Sequence, residues 1–342
     1  MSRHLNIPIF IPHLGCPHTC VFCNQRTISG AQHFDAAEVD GQIARALATT
    51  KEGDTAEIAY FGGSFTGIDH ELMCYLLEVA ERYVQQPAAN KAHVLGIRMS
   101  TRPDYISDEI LEVLARYSVR TVELGVQSLD DAVLRACGRG HDARCAERAC
   151  RMLLDAGYEV VGQTMIGLPG STLQSELDTA DRLCALGVQG ARIYPTVVFA
   201  DTALCAMMQG GSYIPLTLDA AIARSAAVLR RFEERGVQVI RVGLCASDNL
   251  SDPALAVGGA NHPALGELVR SELYYQKLRE LLLGADAPVQ AVYIPARELS
   301  MAIGQHRQNL LRLQEEFGRQ LRLVAGTCTQ PQLYEKETEH CT

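Results

Sequence analysis

The chain has 342 residues, 47% of them hydrophobic and 21% charged, and its net charge is −9. This is the composition of an ordinary globular protein, long enough for a large single domain or for one domain with a small appendage. It excludes a coat of positive charge for nucleic acid, though not a local basic patch, and it contains no apolar run long enough to span a bilayer.

From the N-terminus the chain reads as strand, loop and helix in repetition. Residues 7–11 are apolar but interrupted by Pro8 and almost without a basic lead-in, so no signal peptide is expected there. Strands are expected at 7–12, 57–61, 93–99, 121–126, 159–166 and 191–198, with amphipathic helices at 36–49, 69–83, 107–117, 143–156 and 173–186. Alternation at these lengths predicts βα units on a parallel sheet. Six units predict a partial or complete barrel, with the chemistry on loops at the C-terminal ends of the strands.

The first such loop, HLGCPHTCVFCNQ, places Cys16, Cys20 and Cys23 in a C-x3-C-x2-C spacing. Three thiolates in one tight loop can hold one face of an iron–sulfur cube, which ordinarily takes four cysteine ligands. No fourth cysteine lies nearby in the sequence, so one iron is left open. The amino and carboxylate groups of S-adenosylmethionine can chelate such an iron and bring the sulfonium close to a one-electron donor. The competing reading is structural zinc, with His13 or His18 completing a tetrahedron, but no second C-x2-C or H-x3-H is present. The nine other cysteines show no ligand-like spacing and are expected to be mostly buried small hydrophobes. Twelve cysteines without an export signal indicate a reducing compartment, and the expected location is the cytoplasm.

Later strands end in further signals. FGGSFTG (61–67) follows the second strand, where adjacent glycines make a tight turn or admit a ligand to the backbone. ELGVQS (123–128) puts Gln127 at the end of the fourth strand, needing a polar partner from a ligand or a backbone carbonyl. The Gly-Leu-Pro-Gly turn after the fifth strand leads to a helix capped by Ser171 or Thr172.

CPHTCVFC, FGGSFTG, STRPDYI (100–106), VELGVQSLDDAVL (122–134), GRGHD (138–142), LLDAGYEVVGQTMIGLPG (153–170), RIYPTVVFADTAL (192–204) and YIPLTLDAAI (213–222) resemble, in this order, the radical-SAM domain of the Elongator catalytic subunit family. That family modifies wobble uridines of tRNA. The resemblance covers about residues 8–245. It implies that Cys16, Cys20 and Cys23 bind a 4Fe–4S cluster, that Gly62, Gly63 and Ser64 contact the methionine end of S-adenosylmethionine, and that Gln127 and Arg139 lie near its ribose and carboxylate. Oxygen-independent coproporphyrinogen oxidases are similar around GVQS and GLPG, but carry an acid where this chain has Gln163. The Elongator subunit also carries an acetyltransferase domain, and the hundred or so residues after Gly243 show no glycine-rich acetyl-CoA loop. A separate acyltransferase is therefore a candidate partner, beside tRNA and a one-electron donor such as flavodoxin or ferredoxin.

The C-terminal stretch VQAVYIPARELSMAIGQHRQNLLRLQEEFGRQLRLVAG reads as strand, helix, turn at Gly304, helix and strand. This resembles a K-homology RNA-binding core, although Arg307 stands where its second turn glycine belongs. Five Arg against three Glu between Arg297 and Arg322 give a local excess of +2. A small cap that binds nothing has the same pattern. Arg135, Arg139, Arg144, Arg148 and Arg151 form a second basic run, equally readable as a solvated face. The expected architecture is an α/β, partial (β/α)6-type radical-SAM barrel over 1–245, a helical connector over 246–285, and a small K-homology-like α/β unit over 286–342 ending in a flexible tail. The expected activity is generation of a 5′-deoxyadenosyl radical to modify a tRNA nucleoside. The rivals are a small-molecule or tetrapyrrole substrate, or a non-catalytic RNA-binding module.

Overall fold

The computed structural model describes residues 3–16, 20–29, 33–86, 91–245, 248–285 and 289–334. Its main sheet is built from β1 (His4–Phe10), β2 (Thr55–Phe61), β3 (His93–Thr101), β4 (Val119–Gln127), β5 (Glu159–Ile166) and β6 (Gly190–Pro195). A short β7 (Val197–Phe199) leaves the sheet before β8 (Gln238–Val242) completes it. The seven strands are parallel and lie side by side in chain order, curled into a half-barrel. Crossover helices cover the outer face, as parallel strands require.

Alternation along the strands separates the two faces. On β2, Tyr60 turns outward, stacks on Phe65 at 4.6 Å between ring centroids, and donates to the Leu76 carbonyl of helix His70–Gln85. Ile58, Ile97, Val122 and Ile193 share that side and pack into the core with Leu76, Leu77, Leu153, Leu183 and Phe232. Glu57 therefore faces the lumen, where Arg98 bridges it at 2.8 Å to Glu123 at 3.1 Å. Arg192 forks onto Glu123 at 2.7 and 2.8 Å, and Gln163 Nε2 donates to the same carboxylate at 3.0 Å. Charges in a low-dielectric wall must be paired in this way.

The half-barrel matches the expected partial barrel, with one strand more than the six read from sequence. β8 was missed because it is an edge strand with one buried position, Val239, among exposed neighbours. The single strand expected at 191–198 divides at Thr196, whose N–H and hydroxyl both bond to the Ile166 carbonyl. Beyond it β7 pairs antiparallel with β9 (Ala256–Gly259).

The C-terminal order of strand, helix, turn, helix and strand is present. β10 (Ala291–Pro295) precedes helices Leu299–Ile303 and Gln308–Glu316, and β11 (Arg322–Gly326) pairs parallel to β10. β12 (Gln332–Tyr334) adds an antiparallel partner to β10. The tail beyond residue 334 lies outside the described residues. Helix Leu265–Leu283 joins the two regions: Leu265, Val269 and Leu273 belong to the barrel core, while Tyr274, Tyr275, Leu278 and Leu282 belong to the C-terminal core. Among the described residues no helix is long and apolar enough to cross a membrane.

Candidate cluster and cofactor site

The chain leaving β1 is zipped onto the turn after β2. Ile11 N–H donates to the Phe61 carbonyl at 2.8 Å, His13 N–H to that of Gly62 at 3.1 Å, and Ser64 N–H to that of Leu14 at 2.9 Å. The two backbones touch so closely that only glycine fits. A Cβ on Gly63 would stand 2.4 Å from the Leu14 oxygen and 2.6 Å from that of Ile11, and one on Gly15 would stand 2.2 Å from the Ser64 oxygen. Gly63 and Gly15 are thus demanded first by the cysteine loop itself, whereas Gly62 is required by its left-handed φ of 93°. The other arm of that loop is anchored by Val21 N–H on the Cys137 carbonyl at 3.1 Å, with Val21 and Phe22 packed into two small apolar clusters.

Cys16, Cys20 and Cys23 are free thiols at the C-terminal end of the half-barrel. Burial pushes the Cys16 thiol up against the pull of Arg102. Burial, followed by the charges of Cys20 and Cys16, pushes Cys23 up to about 12. Iron uptake by these groups must therefore release protons. His13, one candidate for completing a zinc site, has its Nε2 accepting the Gln25 N–H at 3.0 Å. His18, the other, lies outside the described residues. Among the described residues no three His, Cys, Asp or Glu side chains close on a single metal ion. The charge of Cys20 raises both Cys16 and Cys23, and that of Cys16 raises Cys23, so the three sulfurs lie together and suit the thiolate donor set of a cluster.

The other residues singled out in the sequence converge on the same end of the sheet. Gln127 ends β4 in a left-handed conformation, φ 64°, and its Oε1 is buried without a partner. A non-glycine residue held there stores of order 1 kcal/mol. Arg139 is buried, with Nη1 donating to Cys20 Sγ at 3.2 Å, Nη2 to the Gly125 carbonyl, and Nε left without a partner. Two orphaned polar atoms beside the thiols are what a polar ligand would satisfy. Ser64 is different: its hydroxyl contacts Thr101 Oγ1 at 3.0 Å and accepts the Arg102 N–H at 3.1 Å, so it ties the glycine turn to STRPDYI. Thr172 caps helix Leu173–Leu186 in a capping box with Ser175.

Three residues at the site received no role from the sequence. Arg102 forks onto Asp104 at 2.9 and 2.7 Å, donates to the Arg139 carbonyl, and directs Nη1 at Cys20 Sγ 3.9 Å away. Burial alone would raise the Asp104 carboxyl, but the Arg102 fork holds it below its ordinary range. His141 lies 3.6 Å from Asp104 with both ring nitrogens buried and without hydrogen bonds; burial, then Arg139, lowers it to about 4. The signal was the R-x-D of STRPDYI and the His of GRGHD, blocks whose individual side chains cannot be placed without the fold.

Residues 10–183 match the model of the Radical SAM superfamily, and 188–275 that of the Radical SAM C-terminal domain. An uncharacterised protein of Methanocaldococcus jannaschii is 30% identical over 224 residues, 62% of this chain and 67% of that one. Elongator complex protein 3 of Mus musculus is 27% identical over 194 residues, 52% of this chain and 36% of its own length. The structure of the archaeal Methanocaldococcus infernus Elp3 superposes with a TM-score of 0.64 at 20% identity, over 82% of this chain and 64% of that one, a likeness of fold. The chain thus spans from 36% to 67% of the length of these relatives. The three-thiol loop, the curled parallel sheet and the matched models lead to one assignment: the chain is a member of the radical SAM superfamily, an enzyme whose cofactors are a 4Fe–4S cluster and S-adenosylmethionine.

Proposed function

We propose that Cys16, Cys20 and Cys23 hold the cluster and that the enzyme modifies a nucleoside of tRNA. The observation that carries the cysteine assignment is their position in one loop at the C-terminal mouth, facing the orphaned atoms of Gln127 and Arg139. When bound, the cluster and S-adenosylmethionine supply one-electron cleavage of the cofactor as a source of a hydrogen-abstracting radical. The chain's own residues bind and shield: Gln127 and Arg139 orient the cofactor, the Gly62–Gly63 turn shapes its seat, and the half-barrel excludes water. A small donor such as flavodoxin or ferredoxin delivers the electron.

The tRNA reading is supported by the kinship with Elongator complex protein 3 and by the surface. Arg135, Arg144 and Arg148 are exposed, and among the described residues no ion pair engages them. Arg139, counted with them in the sequence, is instead buried at the cysteines. In the C-terminal unit, the turn from Gly304 exposes Gln305, His306 and Arg307, the last two left-handed at φ 51° and 63°. Gly304 itself, at φ 77° and ψ 164°, sits in a region open only to glycine. Such a turn between helices can meet a nucleic-acid backbone.

The test is anaerobic purification, reconstitution with iron and sulfide, and assay of 5′-deoxyadenosine with dithionite and S-adenosylmethionine, with and without bulk tRNA. Cleavage stimulated by tRNA and abolished by Cys→Ala at positions 16, 20 and 23 is the expected result. Cleavage indifferent to tRNA would move the substrate to a small molecule, and full cleavage by the triple variant would sink the cysteine assignment.

A further inference from the structure

Cys20 differs from the other two candidate ligands in what surrounds its sulfur. Two buried guanidinium groups point at it, Arg139 Nη1 at 3.2 Å and Arg102 Nη1 at 3.9 Å. Arg139 already has a role by resemblance, beside the cofactor. Arg102 has none, yet it is the more firmly held. Its side chain is 5% exposed. Its Nε and Nη2 are taken by the two oxygens of Asp104, and Nη2 also donates to the Arg139 carbonyl. Its main-chain N–H donates to Ser64 Oγ, in the turn that grips the cysteine loop. With Nε and Nη2 fixed, the rigid fork leaves Nη1 directed at the sulfur. A buried ion pair is costly to assemble, and a structural tie between STRPDYI and GRGHD could be made by neutral groups. The positive end of this pair lies toward Cys20 and its negative end away.

We infer that Arg102, fixed by Asp104, is a positioning residue for the cluster: it sets a donor and a positive pole against the Cys20 sulfur and so raises the cluster's reduction potential. The physical reason is electrostatic. Reduction adds one electron to the cluster, and an N–H donor at a ligand sulfur stabilises the more negative state. In a buried site that stabilisation is only weakly screened. The step requires no new reactant, since the electron comes from the donor the enzyme already needs. Asp104 keeps the guanidinium from turning away to solvent. His141, neutral beside Asp104, adds no competing positive charge.

This inference rests on the assignment of Cys16, Cys20 and Cys23 as ligands, and its test separates the two. The full chain, reconstituted, is titrated with dithionite and followed by electron paramagnetic resonance of the reduced cluster, for the wild type, R102Q and R102K, with iron and sulfide counted in each. Mutating the outer partners of metal ligands commonly costs ten- to a hundredfold in metal affinity or activity, and hydrogen bonds to the sulfurs set cluster potentials. The expected result for R102Q is full iron with about a tenfold lower ratio of reduced to oxidised cluster at a fixed potential, which is a midpoint about 59 mV lower for one electron. R102K, which keeps the charge but loses the fork, is expected to fall between. A wild-type midpoint in fully loaded R102Q overturns the inference. Loss of iron from both variants with circular dichroism unchanged also overturns it, because Arg102 would then hold the site instead of tuning it. Iron retained by C20A at wild-type stoichiometry would instead strike at the ligand assignment.

Discussion

His141 is a buried imidazole with no hydrogen bond on either nitrogen, set among Asp104, Arg102 and Arg139. Its folded pKa of about 4 lies below the ordinary value near 6.5 because burial, and then Arg139, disfavour the charged ring. The unfolded chain therefore takes up a proton below pH ~6.5 that the folded chain refuses. Stability present above that value is lost as pH falls through about 4, by at most about 3.5 kcal/mol for some 2.5 units at ~1.4 kcal/mol each. Urea unfolding at pH 7 and pH 4.5 should show the wild type losing more stability than H141Q. Equal losses in the two proteins would mean that the ring is not held neutral in the fold. This residue also marks the limit of reading side chains from sequence. GRGHD could be recognised as a block, but whether its His or its Arg faces the cysteines depends on Gly138 and Gly140, both left-handed at φ 64° and 76°. The same holds for Ser64, whose place in a glycine turn suggests a ligand contact and whose hydroxyl is turned inward to Thr101.

At the scale of elements, strands buried within the sheet were legible as short runs rich in β-branched and apolar residues, as in the Glu159–Ile166 strand, found at its expected bounds. What interrupted that pattern was harder to read. Glu57, Arg98, Glu123 and Arg192 lie on four separate strands and look like isolated charges until register makes them one ladder. β8 was invisible for the converse reason, since an edge strand has too few buried positions to show a period. The pairing of the cysteine loop with the FGGS turn is a relation between elements as well, and it yields a sharp expectation. G63A places a methyl group 2.4 and 2.6 Å from two backbone oxygens, neither of which can move without opening the loop. Its expected outcome is loss of most of the bound iron and sulfide, with the circular dichroism of the barrel kept. A G63A protein with full iron would show that the loop tolerates the displacement.

At the scale of the molecule, the barrel and the C-terminal unit share one helix. Leu265–Leu283 is about 28 Å long at 1.5 Å per residue. Its first half closes the barrel core over helix Leu218–Glu234, and its second half carries Tyr274, Tyr275, Leu278 and Leu282 into the C-terminal core. Tyr275 is also covered by the Arg312 guanidinium 3.7 Å from its ring centroid, and Asn309 Nδ2 donates to the Ser271 carbonyl at 2.9 Å. A helix with both halves committed cannot be lost by one core without exposing the other. L278A removes a fully buried side chain from the C-terminal core alone, at a cost of about 2–5 kcal/mol. If the helix couples the cores, calorimetry of L278A should show one transition moved to lower temperature, with no separate early melting of the C-terminal unit. An early transition followed by a barrel that melts at the wild-type temperature would show two independent bodies. The distinction bears on function, because a rigid joint holds the turn from Gly304 to Arg307 at a fixed distance from the cysteine loop. A flexible joint would leave that turn free to follow any ligand. Under the proposed tRNA reading, the rigid joint is the one that lets the two regions measure out a folded substrate of defined shape.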